Sequence, residues 1–233
     1  MELDFTSAAF WLAVGQIILI DIVLSGDNAV VIALACRNLA VDQRKKGIFW
    51  GVAGAVSLRV VLTTCAALVM NLPWLKVVGG LLLLWIAVKL MLPEDDEGED
   101  IEASAHLWGA VKTIVVADFV MSLDNVIAVA GAAHGSLVLL LFGLAVSIPL
   151  IVWSSQLILR WMERYPVIVL FGAALLGYVS GQMIFTDPGV LGLLPPLPAW
   201  SGKLAGVVGA VLVVAVGRWL EQHILEKQDV TIV

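Results

Sequence analysis

Long apolar runs separated by shorter polar segments make up most of the chain. Charged residues or prolines bound each run, and most runs approach or exceed the ~20 helical residues that span a bilayer. The pattern predicts seven membrane helices. They cover Phe10–Ala35, Ile48–Met70, Leu75–Leu92, Leu107–Ala133, Leu137–Leu159, Val167–Thr186 and Lys203–Leu220.

Two segments between the predicted helices are longer than the others. Residues 94–106 form a predicted linker, in which seven of the nineteen acidic residues lie between Glu94 and Glu102. Without those seven charges the formal net charge changes from −6 to +1, so acidity is a property of this loop. Residues 187–202 contain four prolines and are predicted to be extended. The segment after Trp219 is predicted to be a polar tail.

Composition supports the membrane assignment. Hydrophobic residues make up 61% of the 233 residues and charged residues 14%, against about 45–50% and about 25% in soluble domains. The predicted fold class is therefore an all-α polytopic membrane helix bundle, whose spans leave no room for a separate soluble domain. This excludes a cytoplasmic enzyme, a nucleic-acid-binding protein and a secreted disulfide scaffold. Cys36 and Cys65 form no CxxC motif and indicate no thiolate site.

The distribution of basic residues orients the predicted bundle. If the N-terminus is outside, nine Lys and Arg residues fall on the inner side, and only Lys76 and Lys203 fall on the outer side. The nine are Arg37, Arg44, Lys45, Lys46, Lys89, Arg160, Arg164, Arg218 and Lys227. Because basic residues favour the cytoplasmic side, we expect the N-terminus outside and both the C-terminus and the acidic loop inside.

A motif in the first predicted helix recurs in the fourth. Residues 21–28 (DIVLSGDN) match residues 118–125 (DFVMSLDN) at a constant offset of 97, and Ala-Val-Ser at 55–57 recurs at 145–147. Each copy holds three helices, an odd number, so the second copy must enter the membrane from the opposite side. Inverted repeats of this kind are typical of secondary transporters, whose sites lie near the bilayer midplane.

The repeat divides the sequence into four parts. We expect a first three-helix repeat, the acidic linker, a second and inverted three-helix repeat, and a final part with the Pro-rich loop, the seventh helix and the polar tail. Their bounds are 1–93, 94–106, 107–186 and 187–233.

Four aspartates lie inside the first and fourth helices, where charged groups are rare. They are Asp21, Asp27, Asp118 and Asp124. A charge at the centre of a membrane helix costs at least about 2.5–3.5 kcal/mol and marks a functional site by default. On an ideal helix the first Asp, the Ser and the Asn of each motif share a face, and the second Asp points about a third of a turn away. Convergence would require the helix to open, which Gly26 favours in the first copy but Leu123 does not in the second.

These aspartates leave the membrane core with negative charge. Arg59 returns one positive charge, and Lys112 lies near a helix end from which it can reach the interface. The deficit requires protons or a divalent cation. Carboxylate and amide oxygens suit Mn²⁺, Mg²⁺ or Ca²⁺ better than Cu(I) or Zn²⁺, and the negative core would repel an oxyanion. For any single aspartate, a structural ion pair with Arg59 is the alternative. We expect Arg59 to hold the empty site together as a counter-charge.

The segments SGDNAVVIALA (25–35) and SLDNVIAVAGAA (122–133) resemble the paired motifs of the TerC family of bacterial integral membrane proteins. The resemblance implies export of Mn²⁺ from the cytoplasm, kinship with LysE-type exporters and a location in the bacterial inner membrane. It assigns metal binding to one Asn and two Asp residues in each motif. Independently of the resemblance, we expect Ser25, Ser122 and Arg59 to support the site. The six metal-binding residues are Asp21, Asp27, Asn28, Asp118, Asp124 and Asn125.

Taken together, these features predict a secondary exporter of a divalent cation, Mn²⁺ first, that works by alternating access and proton exchange. Its partners are the cation, protons and the lipid bilayer, with no nucleic acid and no permanently bound cofactor; the oligomeric state is left open. One alternative is a non-transporting membrane partner of metallation or secretion machinery, and another is a transporter of a different ion, such as Ca²⁺ or a tellurite-related oxyanion. An enzyme is not predicted, because the spans contain no nucleophile–base pair, metalloprotease motif or haem-ligand His pair.

Overall fold

The computed structural model describes residues 11–12, 14–16, 18–19, 26–65, 72–92, 103–132, 137–195, 198 and 200–231. Within these ranges the chain forms helices and turns and contains no strand. The helices with defined bounds are α1 (Gly26–Cys36), α2 (Val41–Thr64), α3 (Leu75–Met91), α4 (Ala103–Ala132), α5 (Leu137–Arg164), α6 (Val167–Phe185), α7 (Pro188–Leu193) and α8 (Ser201–Thr231).

Five of the described helices are long and apolar enough to cross a bilayer. The qualifying segments are Val41–Thr64, His106–Leu123, Leu140–Arg164, Val167–Phe185 and Ser201–Ile224. Two other helices are apolar but shorter. α3 has 17 residues, about 26 Å of helix, and Asp27–Cys36 is the apolar part of α1. The prediction of an all-α, polytopic membrane bundle is confirmed.

Several helices extend beyond the apolar runs that predicted them. α2 begins at Val41 rather than Ile48, and α8 continues to Thr231 rather than ending at Leu220. The predicted polar tail after Trp219 is therefore helical as far as Thr231. The added turns contain Lys, Arg, Gln and Glu, which favour helix in water. Apolarity marks the part of a helix that suits lipid, whereas the hydrogen-bonded helix continues past it.

The sequence predicted that the Pro-rich segment is extended, but part of it is helical. Pro188–Leu193 forms the short helix α7, with Pro188 in its first turn. Proline is tolerated there because its missing N–H would have no partner within the helix. Asp187 caps α7, and its side chain accepts a hydrogen bond from the backbone N–H of Gly189 at 2.7 Å.

One compact unit contains residues 1–71 and 103–160, and therefore α1, α2, α4 and most of α5. α2 and α4 pack along each other because α2 presents glycine where α4 presents branched side chains. A Cβ atom at Gly51 would lie 2.5 Å from Cδ1 of Ile114, so the close approach depends on glycine. Ile32 of α1, Ile114 of α4 and Ile151 of α5 belong to the same buried apolar cluster.

The second compact unit contains residues 72–102 and 161–233, and therefore α3, α6, α7 and α8. Here two membrane helices approach each other through small residues. A Cβ at Gly181 of α6 would collide with the carbonyl oxygen of Ala205 of α8, and a Cβ at Gly177 would lie 2.6 Å from the carbonyl oxygen of Gly209. Such pairing is a common basis of helix association in membranes, where apolar burial gives little driving force.

The two units combine helices from both halves of the sequence. The first unit takes α1 and α2 from the first predicted repeat, and α4 and most of α5 from the second. The second unit takes α3 from the first repeat and α6 from the second, together with α7 and α8. Each unit therefore contains helices of equivalent position from the two repeats. The repeat boundaries themselves stay a prediction about sequence.

Asp187 joins two helix starts within the second unit. Its Oδ1 accepts from the backbone N–H of Trp74 at 2.9 Å, and its Oδ2 accepts from that of Lys76 at 3.0 Å. Trp74 has a left-handed backbone, with φ of 70°. The side chain of Asp187 is fully buried. Burial raises the pKa of Asp187, but the N–H donors of Trp74, Gly189 and Lys76 outweigh it and hold the pKa below its ordinary value.

Candidate metal-ion site

Asp118 and Ser122 lie one turn apart on α4, and both are buried. α4 is continuous helix from Ala103 to Ala132, so it does not open near Leu123. This agrees with the expectation that the second copy of the motif has no residue that favours a break. In the first copy, the described part of α1 begins at Gly26. Residues 20–25 lie outside the described ranges.

Arg59 of α2 forms a buried ion pair with Asp118. Its Nη2 lies 2.5 Å from Oδ1 of Asp118, and its Nε donates to Oγ of Ser122 at 3.2 Å. Ser122 in turn donates to Oδ2 of Asp118 at 3.2 Å. Both carboxylate oxygens of Asp118 therefore accept hydrogen bonds. Breaking such a pair from one side is costly, because it leaves a buried charge without compensation.

Asn28 of α1 has a buried amide group that finds no hydrogen-bond partner among the described residues. Its relative exposure is 3%, and among the described residues none hydrogen-bonds to its Nδ2 or Oδ1. An unsatisfied polar group of this kind costs about 1–3 kcal/mol. In folded proteins such groups are rare enough that each calls for an explanation, such as a bound ion or water.

A small cavity lies beside this amide. Its lining consists of Asn28, Val31 and Ile32 of α1 with Ile114 and Asp118 of α4. The space open to the centre of a water molecule is about 10 Å³, close to the minimum that one water needs. The described cavity is therefore about the size of a single small guest, and Asn28 and Asp118 are the polar residues of its lining.

Asp27 adds a second carboxylate near the cavity. It lies in the first turn of α1, is half-buried, and accepts a hydrogen bond from the backbone N–H of Asn28 at 2.9 Å. When both aspartates are ionised, Arg59 compensates one of the two negative charges. The described part of the site thus keeps negative charge that favours a cation.

The structure brings together part of the predicted ligand set. Asn28 and Asp118 line the cavity, and Asp27 precedes Asn28 in α1. Arg59 and Ser122 both donate hydrogen bonds to Asp118. Asp21 and Ser25 lie outside the described residues, as does the side chain of Asp124, whose backbone is part of α4. Asn125 is half-buried and is not without an interaction partner. In the described part of the chain, no three His, Cys, Asp or Glu side chains converge as a metal site.

Sequence reasoning underestimated two groups around Arg59. It named Ser122 only as a supporting residue, whereas this hydroxyl links Arg59 to Asp118. The four-residue spacing from Asp118 was the available signal. Thr63 was not singled out; its hydroxyl donates to the carbonyl oxygen of Arg59 at 2.8 Å. Lys112 is exposed, as expected for a side chain that leaves the core.

Comparison with known proteins shows which sequences this chain resembles. The sequence model of the family described as "Integral membrane protein TerC family" matches residues 6–225. YjbE of Bacillus subtilis (strain 168), an uncharacterized membrane protein, is 46% identical over 168 residues, which cover 72% of this chain and 77% of YjbE. YgdQ of Escherichia coli (strain K12), a UPF0053 inner membrane protein, is 27% identical over 192 residues, which cover 75% of this chain and 80% of YgdQ. No solved structure gives a significant match.

Proposed function

The chain belongs to the TerC family of integral membrane proteins. From that premise we propose that it exports a divalent metal cation from the cytoplasm, with Mn²⁺ as the preferred substrate. The cation binds in the cavity between α1 and α4. Asp27, Asn28 and Asp118 supply ligands there. Asp21, Asp124 and Asn125, the other motif residues, complete the set in at least one state of the transport cycle.

The observation that carries the proposal is the orphaned amide of Asn28 beside the carboxylate of Asp118. A buried amide with no partner among the described residues is destabilising by itself. A cation bound to its Oδ1 would satisfy the oxygen of that amide. The remaining negative charge and the purely oxygen donor set favour Mn²⁺, Mg²⁺ or Ca²⁺ over soft metals. The family resemblance selects Mn²⁺ among them. The size and charge of the cavity disfavour a tellurite-related oxyanion.

Energetics require a coupling ion. Outward movement of two positive charges against a negative-inside potential costs about 4.6 kcal/mol per 100 mV, twice the cost for one charge. The sequence contains no P-loop ATP-binding motif, so an ion gradient must supply this energy. Protons are the simplest choice because the same carboxylates can bind either protons or the metal. Alternating access around a midplane site then moves the metal outward and protons inward.

The test is metal flux into inside-out vesicles that contain the purified protein. Uptake of Mn²⁺ is compared with that of Ca²⁺, Mg²⁺ and Zn²⁺, with and without a pH gradient. We expect Mn²⁺-selective uptake that depends on the gradient and is lost in Asp27→Asn and in Asp124→Asn. Asp42→Asn is the matched control, since Asp42 is exposed in the first turn of α2. If well-folded protein moves none of the four cations, the transport proposal is wrong and a non-transporting membrane partner is favoured.

A further inference from the structure

Arg59 places a permanent positive charge inside the proposed cation site. Its side chain is 7% exposed, and a guanidinium group keeps its proton under all physiological conditions. A cation carrier has no evident need for a fixed cation beside its carboxylates, because that charge repels the substrate. The position of Arg59 in the site therefore calls for a role in the transport cycle.

The carboxylate of Asp118 is the group that both the Arg59 guanidinium and the proposed metal ion would contact. Oδ1 of Asp118 accepts from Arg59 and Oδ2 accepts from Ser122, while the same side chain lines the cavity beside Asn28. A metal ion in that cavity needs an oxygen of Asp118 as a ligand. Each oxygen already accepts one hydrogen bond. An ion bound there lies close to the positive charge of Arg59, and the repulsion between the two cations weakens the contact of Arg59 with Asp118.

We propose that Arg59 is a tethered internal cation that competes with the transported divalent cation for Asp118. This inference rests on the proposed function and deepens it. The guanidinium holds Asp118 when the site is empty, and it leaves the carboxylate when metal binds. Two consequences follow from the exchange. The empty carrier never exposes an unpaired buried carboxylate to the membrane, which would be costly. The metal is held less tightly and is released to the outside.

The geometry favours exchange over a purely structural pair. The carboxylate of the pair lines a cavity, and on the cavity's other side lies the amide of Asn28, which has no hydrogen-bond partner among the described residues. The contact also has a ready alternative partner. Nε of Arg59 already bonds to Ser122, so the guanidinium can keep this bond when it leaves Asp118.

The test measures the dissociation constant of Mn²⁺ in detergent by titration, and Mn²⁺ efflux in proteoliposomes, for Arg59→Gln and the wild type. Competition predicts that Arg59→Gln binds Mn²⁺ at least about tenfold more tightly, equivalent to about 1.4 kcal/mol, while its efflux slows. The matched control is Arg160→Gln, because Arg160 is exposed near the end of α5. The control should keep wild-type affinity and flux. A purely structural role for Arg59 would weaken binding.

Arg59→Lys decides the question if Arg59→Gln does not fold. Lysine keeps the charge but is shorter and lacks the planar fork that spans Asp118 and Ser122, so it is a weaker competitor. We expect the Mn²⁺ affinity to be about two- to fivefold tighter than that of the wild type, a smaller gain than the tenfold expected for Arg59→Gln. Unchanged or weaker binding in the folded variants overturns the competition, even if wild-type protein binds and transports Mn²⁺. If folded wild-type protein neither binds nor transports a divalent cation, the proposed function itself fails.

Discussion

The Asn28→Leu substitution should stabilise the protein while it removes the response to metal. Leucine has the same branching at Cγ as asparagine but no polar atoms, and the adjacent cavity lies next to its larger methyl groups. The two orphaned atoms of the amide, Nδ2 and Oδ1, are both lost. In most buried positions removal of an asparagine destabilises the fold, because its partners lose hydrogen bonds. Here none of the described residues bonds to that amide.

The expected magnitude follows from the cost of a buried unsatisfied group. That cost is about 1–3 kcal/mol, so Asn28→Leu should raise the free energy of unfolding by this amount without metal. For a chain of this length each kcal/mol corresponds to about 2–4 °C in the midpoint of thermal unfolding. Saturating Mn²⁺, at about a hundred times its Kd, should stabilise the wild type by about 2.7 kcal/mol and leave the variant unchanged.

The assay is thermal unfolding of purified protein in detergent, with and without Mn²⁺. Asn38→Leu is the matched control, since Asn38 is exposed in the turn after α1. It should change stability by less than about 0.5 kcal/mol and keep the full response to Mn²⁺. Two results would refute the reasoning. One is a loss of stability in metal-free Asn28→Leu, and the other is a wild-type response to Mn²⁺ in that variant.

Three further predictions concern the scaffold and can be checked by the same unfolding assay. Gly181→Ala should lower the free energy of unfolding by about 1–3 kcal/mol, because the new Cβ collides with the carbonyl oxygen of Ala205; equal stability would contradict the close approach of α6 and α8. Gly109→Ala should raise stability by up to about 1 kcal/mol, since its Cβ meets open space on α4, and a loss would contradict this. Asp187→Asn should lower stability at neutral pH. Because folding lowers the pKa of Asp187, its contribution is complete above the unfolded value of about 3.9 and is lost as pH falls through the folded pKa. The difference between Asp187→Asn and wild type should therefore shrink in acid, and a pH-independent difference would contradict this origin.

Much of the fold follows from the sequence because the bilayer leaves few solutions. Apolar runs near 20 residues must be helices in lipid, since each backbone polar group needs an internal partner. The bounds of α3 and α6 lie within a residue of the predicted ones. The ends of α2 and α8 do not, because hydropathy reports the boundary with lipid and not the last hydrogen bond. The helix α7 was missed because the four prolines of this segment predicted an extended chain. The pair Asp187 and Pro188, which caps and begins the helix, was the available signal.

The candidate site was predictable in its charges but not in its contacts. The repeat identified Asp27, Asn28 and Asp118, and the rarity of carboxylates inside membrane helices marked the two aspartates as functional. The charge balance of the core gave Arg59 as a counter-charge. No periodicity argument could assign Arg59 to Asp118 rather than to another aspartate, since that choice depends on how α2 packs against α4. The isolation of the Asn28 amide is also a property of packing. The roles of Asp21 and Asp124 stay predictions, because these side chains lie outside the described part of the structure.

The most direct test of the central claim is anomalous diffraction from crystals of the protein grown with Mn²⁺. The account predicts one strong anomalous peak between α1 and α4, within coordination distance of Asn28 Oδ1 and a carboxylate oxygen of Asp118. Asn28→Leu crystals prepared in the same way should lack that peak. Mn²⁺ peaks confined to other parts of the molecule, such as the acidic loop at 94–102, would contradict the account.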